Sequence, residues 1–355
     1  MIVEQMRLAR RAATRFPDAS RWLWTERGLQ QASDWRSAVF KASLIPVGET
    51  VVDGCCGIGA DLLAISRHSR VIGIDRDAIM AMIARTNLTS HGREVEVVQA
   101  EFPAIVGHAG NSWLHVDPDR RSHEHNQQDR RTTQADRFSP SLVDILPLAR
   151  RARGAIIKLA PATQIGTDVE LDFQRGWIGC VGECRQQLLV RGARAILPAC
   201  RFAALCDDPF APEIFQTSTD CPAAISISPH VNQYVFDLHP VLYASALQSA
   251  WANQHALFPI ESPAGYFTGS AQVLSPWVQC FRVLEVLPWD ERRVRSWLRG
   301  HSAGIVEVKK RLVEVDANLQ QRRLSQLQGE SFTLLITRHL RRTVAIVAQR
   351  VSITF

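Results

Sequence analysis

The chain has 355 residues, of which 46% are hydrophobic and 21% charged, enough apolar side chain for a sizeable core and long enough for two or three domains. Its net charge is +6, carried almost wholly by arginine, which favours a polyanionic partner without naming one. No apolar run approaches the roughly 18 residues that cross a bilayer, and Met1 to Arg15 lacks the apolar stretch of a signal peptide, so the expected location is cytoplasmic. Eight cysteines in such a chain do not make a disulfide framework. Cys180 and Cys184 have neither a second pair nor histidines at ligand spacing. Reduced thiols are expected, with no metal and no membrane.

In chain order, residues 1–42 read as an N-terminal helical region with the aromatic cluster Trp22, Trp24, Trp35 and Phe40. The simpler reading packs these aromatics as a cap on the next domain; the alternative has them cover a ligand or stack a base. Residues 43–225 read as the next domain. There, Val51-Val52-Asp53 ends a buried strand, Gly54-Cys55-Cys56-Gly57-Ile58-Gly59 is a tight loop, and a helix follows over 60–67. Strand, glycine loop and helix N-terminus bring bare backbone to a nucleotide-like ligand. Cys55 is a small residue at a place that often holds glycine.

A second strand over 71–75 ends in Asp75, sixteen residues after Gly59, where a carboxylate can accept from both ribose hydroxyls of an adenosine. The third glycine of a dinucleotide loop is absent; Leu62 stands there. Further elements are a helix over 77–90, strands at 95–98 and 113–116, and a fifth strand over 155–161. The polar stretch from Ser122 to Phe138 reads as a long mobile loop beside the site. Residues 226–280 read as a connecting region containing a Tyr234–Pro240 segment and a helix through Trp251. Residues 281–355 read as a small α+β domain: a strand at 281–288, a helix at 290–299, a strand at 305–310, a charged helix over 312–327 and a closing hairpin at 332–337 and 343–348.

The loop set Asp53, Cys55, Gly57, Gly59 with Asp75 resembles the S-adenosylmethionine site of class I methyltransferases. Adding Trp24–Ser33, Asp117-Pro118-Asp119-Arg120-Arg121, Lys158–Pro161, Gly182–Arg185 and Gly304–Arg311, the chain resembles bacterial class I methyltransferases with a C-terminal THUMP-like domain. The resemblance implies a doubly wound, mainly parallel α/β sheet and a terminal module similar to the RNA-binding THUMP domain of tRNA-modifying enzymes.

It also implies site roles. Asp53 would order the loop or contact the methionine amine through water, Asp75 would bind the ribose, and Ala100-Glu101 would lie at the adenine edge. Asp117-Pro118 would hold an exocyclic base amine through a side-chain oxygen and a backbone carbonyl. Arg120, Arg121 and Lys158 would meet substrate phosphate; the alternatives pair the arginines with local acids such as Glu124 or Asp129 and bury the Lys158 stem in the sheet. The aromatic that related motifs carry two residues after the proline is missing here. The expected activity is methylation of a base nitrogen in rRNA or tRNA. A small-molecule or protein substrate, and cofactor or RNA binding without turnover, stay open. Cytosine carbon-5 chemistry is disfavoured, because no cysteine sits beside a matching base motif. The sequence does not fix the oligomeric state.

Overall fold

The computed structural model describes residues 2–104, 109–119, 134–193, 200–218, 225–262, 265–326 and 328–351. The chain divides into two compact units, Met1–Thr219 and Asp220–Phe355.

The first unit opens with three helices, α1 (Ile2–Ala12), α2 (Glu26–Gln31) and α3 (Trp35–Ser43). Thr25 and Asp34 cap α2 and α3 by accepting from Gly28 N and Arg36 N. There follow β1 (Thr50–Gly54), α4 (Ala60–Ile65), β2 (Arg70–Asp75), α5 (Ala78–Ser90), β3 (Glu96–Gln99), β4 (Trp113–Val116), α6 (Leu142–Arg151) and β5 (Gly154–Leu159). The unit closes with α7 (Thr167–Asp172), β6 (Gln174–Cys180), β7 (Glu183–Arg191), β8 (Cys200–Leu205) and β9 (Glu213–Ser218).

These strands form one sheet in the order β3-β2-β1-β4-β5-β7-β6-β8-β9. β1 to β5 are parallel, and β7 enters antiparallel between β5 and β6. Strand order reverses between β1 and β4, so the carboxyl ends of these strands open a crevice at the switch point. Successive residues of the inner strands feed opposite faces: Ile156 joins one core and Ile157 the other. The first core packs α3, α4 and the buried Trp22, Trp24, Trp35 and Phe40, so the aromatics act as a cap. The β6–β7 hairpin, not foreseen from sequence, turns on Val181 and Gly182 at φ 51° and 73°, the left-handed pair that a two-residue turn needs.

The second unit comprises β10 (Tyr234–Leu238), α8 (Pro240–Ala244), α9 (Gln248–Gln254), β11 (Phe258–Pro259), β12 (Phe267–Gly269), β13 (Val278–Pro288), α10 (Glu291–Gly300), β14 (Ala303–Lys310), α11 (Ala317–Leu324), β15 (Glu330–His339) and β16 (Arg342–Arg350). Its sheet runs β11-β12-β10-β13-β16-β15-β14. Val294 and Leu298 of α10 and Leu324 of α11 pack on one face with Leu334, Ile336 and Val347. The helix expected over 312–327 is confined to Ala317–Leu324. Leu312 takes a left-handed φ of 60°, Val313 and Val315 pack against the core, and Asp316 then caps α11 through Leu319 N. No described helix is long and apolar enough to cross a membrane.

One buried ion pair ties α3 to α4. Lys41 is fully buried, with Nζ 2.7 Å from Asp61 Oδ1 and 2.8 Å from Ser33 Oγ, which in turn donates to Asp61 Oδ2. Burial alone would raise the Asp61 carboxyl, but attraction to Lys41, with smaller contributions from His115 and Lys158, overrides it and holds the carboxyl well below its usual range. Burial lowers Lys41, and Asp61 restores part of the loss. Lys41→Met alone is expected to destabilise the chain by about 3–5 kcal/mol, because it strands a buried carboxylate, whereas adding Asp61→Leu should recover most of the loss. Urea denaturation measures both; equal losses in the single and double variants would refute the pairing argument. Gly176 is a second test, since a Cβ there would lie 2.0 Å from the Phe202 ring. Gly176→Ala should cost about 1–3 kcal/mol, partly recovered by Phe202→Leu.

Candidate active site

The cavity at the switch point is lined by the β1–α4 loop, the ends of β2 and β4, the segment after β3 and residues from the N-terminal helices. Its loop is built on left-handed backbone: Cys55 has φ 63°, Gly57 56° and Gly59 88°. Cys55 therefore does occupy a conformation that ordinarily favours glycine. A Cβ on Gly59 would press on Leu88 at 3.1 Å, and Gly59 starts α4 directly behind the loop. Gly57 N donates to Asp75 Oδ2 at 2.8 Å and Asp77 N donates to Asp75 Oδ1 at 2.9 Å. Asp75 thus ties the loop to the end of β2, and its carboxylate keeps lone pairs for a diol. Burial raises its carboxyl, partly offset by these two N–H donors.

Asp53, Cys55, Gly57, Asp75, Glu101, Asp117 and Pro118 all line this cavity. Glu101 is exposed. Ala100 turns inward to the second core, and its N–H donates to Asp75 O at 3.1 Å. The apolar wall is Ile58, Ile74, Met80 and Phe102. Phe102 is buried, and its ring sits 2.9 Å from where a Cβ on Gly54 would lie, so Gly54 makes room for that ring. Asp117 N donates to Gly54 O at 3.2 Å, continuing the β1–β4 pairing past the strand end. Arg120 and Arg121 lie outside the described residues, as does most of the 122–138 loop; Phe138 at its end is buried.

Lys158 pairs with Asp117. It is only 7% exposed, and its Nζ lies 2.5 Å from Asp117 Oδ2. It holds the Asp117 carboxylate and also donates to Gln31 O at 3.4 Å. The N-terminal segment contributes polar groups that sequence reasoning missed. Arg27 and Gln31 of α2 donate to the two oxygens of Asp119 at 2.9 and 3.2 Å, and both line the cavity with Ser33 and Asp61. His115 was missed as well: it reads as a strand residue, yet it is fully buried with Nδ1 2.5 Å from Asp53 Oδ1. Among the described residues no cluster of His, Cys, Asp and Glu could hold a metal.

These residues fit S-adenosylmethionine. Asp75 offers acceptors to a ribose, Ile74, Met80 and Phe102 offer an apolar slot for adenine, and Asp53 Oδ2 is buried without a partner among the described residues. Acceptors outnumber donors in the wall, which suits a cationic ligand.

Comparison with known proteins agrees. Residues 278–350 match a family model described as THUMP domain-like. The chain is 28% identical over 347 residues to an uncharacterised S-adenosylmethionine-dependent methyltransferase of Mycobacterium tuberculosis, found alike in strains CDC 1551 and H37Rv, with 95% of this chain and 92% of that protein covered. A crystal structure from Porphyromonas gingivalis W83, itself assigned only provisionally as a methyltransferase, superposes with a TM-score of 0.78 at 19% identity, covering 98% of this chain and 89% of that one. At that identity the likeness speaks for the fold. By fold, by the fit of its cavity and by these likenesses, the chain is a class I S-adenosylmethionine-dependent methyltransferase with a THUMP-like domain at its C-terminus.

Proposed function

We propose that the chain methylates a base nitrogen of RNA, either rRNA or tRNA. The observation that carries this reading is Asp117-Pro118 at the end of β4, on the wall of the same cavity as the glycine loop. An acceptor side chain followed by a proline gives a carboxylate and a free carbonyl side by side, suited to the two N–H groups of an exocyclic amine. The THUMP-like match over residues 278–350 supports RNA as the substrate class.

S-adenosylmethionine supplies an electrophilic methyl group on a sulfonium when bound. The protein has to align the acceptor nitrogen with it and keep water out. Asp117 is placed to orient the acceptor, and Lys158 fixes the carboxylate at 2.5 Å. Asp75, braced by two backbone N–H groups, is placed for the ribose, and Phe102 for the adenine. Arg120 and Arg121, next in sequence after Asp119, are proposed to meet phosphate near the acceptor base.

Radiolabelled methyl transfer to total tRNA and rRNA from a strain lacking the gene tests the reading. Asp117→Ala is expected to lower transfer about 100-fold, the scale of a misplaced reactant, with S-adenosylhomocysteine affinity kept within about threefold. Asp75→Ala is expected to weaken S-adenosylhomocysteine by about tenfold or more, at least ~1.4 kcal/mol, in titration calorimetry. RNA affinity should fall steeply as salt rises. Transfer to protein or small-molecule fractions alone would refute the RNA assignment.

A further inference from the structure

Two helices of the second unit carry charge that the fold does not use. Together α10 and α11 hold six arginines and one acid, Glu291. Glu291 takes Arg295 at 2.6 Å and Arg323 at 3.5 Å. Arg292, Arg293 and Arg299 of α10 are exposed, and none of the three makes an ion pair among the described residues. Their placement follows from the helical period. Val294 and Leu298 are buried against the sheet. Arg292 and Arg299, seven residues and two turns apart, therefore lie on the outward side, about 10 Å from one another along the axis. Uncompensated guanidiniums on one helix repel each other, and phosphates that pair with them remove that cost.

The flank beside these arginines is aromatic. Arg293, Trp297 and His301 follow at four-residue intervals, the spacing that brings helical side chains together. Trp297 is half-buried and stands at 84° to buried Phe332, with ring centroids 5.6 Å apart. On Trp297 lies the exposed ring of His301, with centroids 3.8 Å apart and planes within 13°. His301 Nδ1 donates to Trp297 O at 2.8 Å. That bond caps the end of α10 and fixes the plane of the ring, while the ring's outer face is left to solvent. A flat π-face held on an indole that the core anchors, beside uncompensated guanidiniums, is complementary to an unpaired base and its flanking phosphates. Every exposed residue of α10 is an arginine, a serine or a glycine, so the helix has no apolar outer face to bury in lipid.

We propose that the outer side of α10 is an RNA-docking surface, on which His301, backed by Trp297, stacks an unpaired base while Arg292, Arg293 and Arg299 hold the flanking phosphates. The proposal rests on RNA as the substrate class. It adds a place on the second unit, a preference for unpaired nucleotides and a division of labour between ring and charge.

Fluorescence anisotropy of the intact chain with two labelled probes tests this. One is an oligouridylate of about twelve nucleotides, within the range of single-strand sites; the other is a ribose–phosphate chain of the same length without bases. His301→Ala is expected to weaken oligouridylate by about tenfold, the scale of one stacked base, and the abasic chain by less than about twofold. His301→Phe keeps a ring on Trp297 and should restore oligouridylate to within about threefold of wild type. Arg292→Ala, Arg293→Ala and Arg299→Ala together should weaken both probes and reduce the slope of log affinity against log salt by about 2, at about 0.7 per phosphate on a single strand. A matched control combines Arg10→Ala, Arg70→Ala and Arg85→Ala, exposed residues of the first unit outside the cavity lining, and should leave that slope unchanged. Equal losses for both probes in a His301→Ala protein that melts as wild type does, no recovery in His301→Phe, or a triple variant no weaker than its control would each overturn the surface and leave the RNA reading standing. If His301→Ala unfolds, the triple variant against its control decides. Binding of phosphatidylserine vesicles through the same arginines, with neither probe bound, would make this a membrane face and overturn the proposal. If wild type binds neither probe the surface is overturned, and methyl transfer to tRNA and rRNA decides the RNA reading separately.

Discussion

A positive charge buried at Lys41 sets the terms for the first unit. A fully buried ammonium costs several kcal/mol unless it is paired in good geometry, and Asp61 and Ser33 supply that pairing. Asp61 lies in the first turn of α4, so α3 and α4 dock in one register, and the loop leading into α4 is fixed with them. The N-terminal segment is consequently part of the cavity. Arg27 and Gln31 of α2 hold Asp119 in place, and the same segment's tryptophans fill the core behind.

Four of the carboxylates that line the cavity are balanced in three ways. Asp53 leans on His115, Asp61 on Lys41, Asp75 on the N–H groups of Gly57 and Asp77, and Asp117 on Lys158. Two are paired with lysines, one with backbone N–H groups and one with the His115 imidazole. The wall is rich in acceptors; burial raises the carboxyls of Asp53 and Asp75 in spite of their partners, whereas Lys41 holds Asp61 below its usual range. Such a wall suits a ligand carrying both a sulfonium and an ammonium.

Much of this was legible in the sequence, and the boundary of legibility has a physical cause. The parallel strands β1 to β5 are short apolar runs between turn residues, and Cys55, Gly57 and Asp75 follow from strand-end chemistry, which is local. His115, Lys41 and Phe102 were not legible as site residues. His115 sits in a buried strand, Lys41 lies within a helix where lysine reads as solvent-facing, and Phe102 acts by filling the space that Gly54 leaves. Each gains its role from a partner far away in sequence. Lys158 shows the same limit from the other side: its position at the end of β5 was legible, but its partner Asp117, from β4's end, was not. The β6–β7 hairpin escaped because buried Gln186 and Gln187 interrupt its apolar pattern. Charge also misleads. Arg311 and Lys309 are spent on Asp237, Arg350 on Glu307 and Arg295 on Glu291, so a net +6 is no measure of free basic surface, and the RNA reading leans on the THUMP-like match instead.

The Asp117–Lys158 pair bears on what the proposed reaction asks of the protein. In the proposed reaction Asp117, held by Lys158, serves as a hydrogen-bond acceptor that aims the nitrogen. That suffices for methyl transfer to an exocyclic amine, because the amine becomes acidic only after it has taken the methyl group and can then lose its proton to water. The demand on the protein is alignment before the transfer, and a carboxylate locked by Lys158 and anchored to Gly54 through its own N–H meets that demand better than a freely rotating acid would.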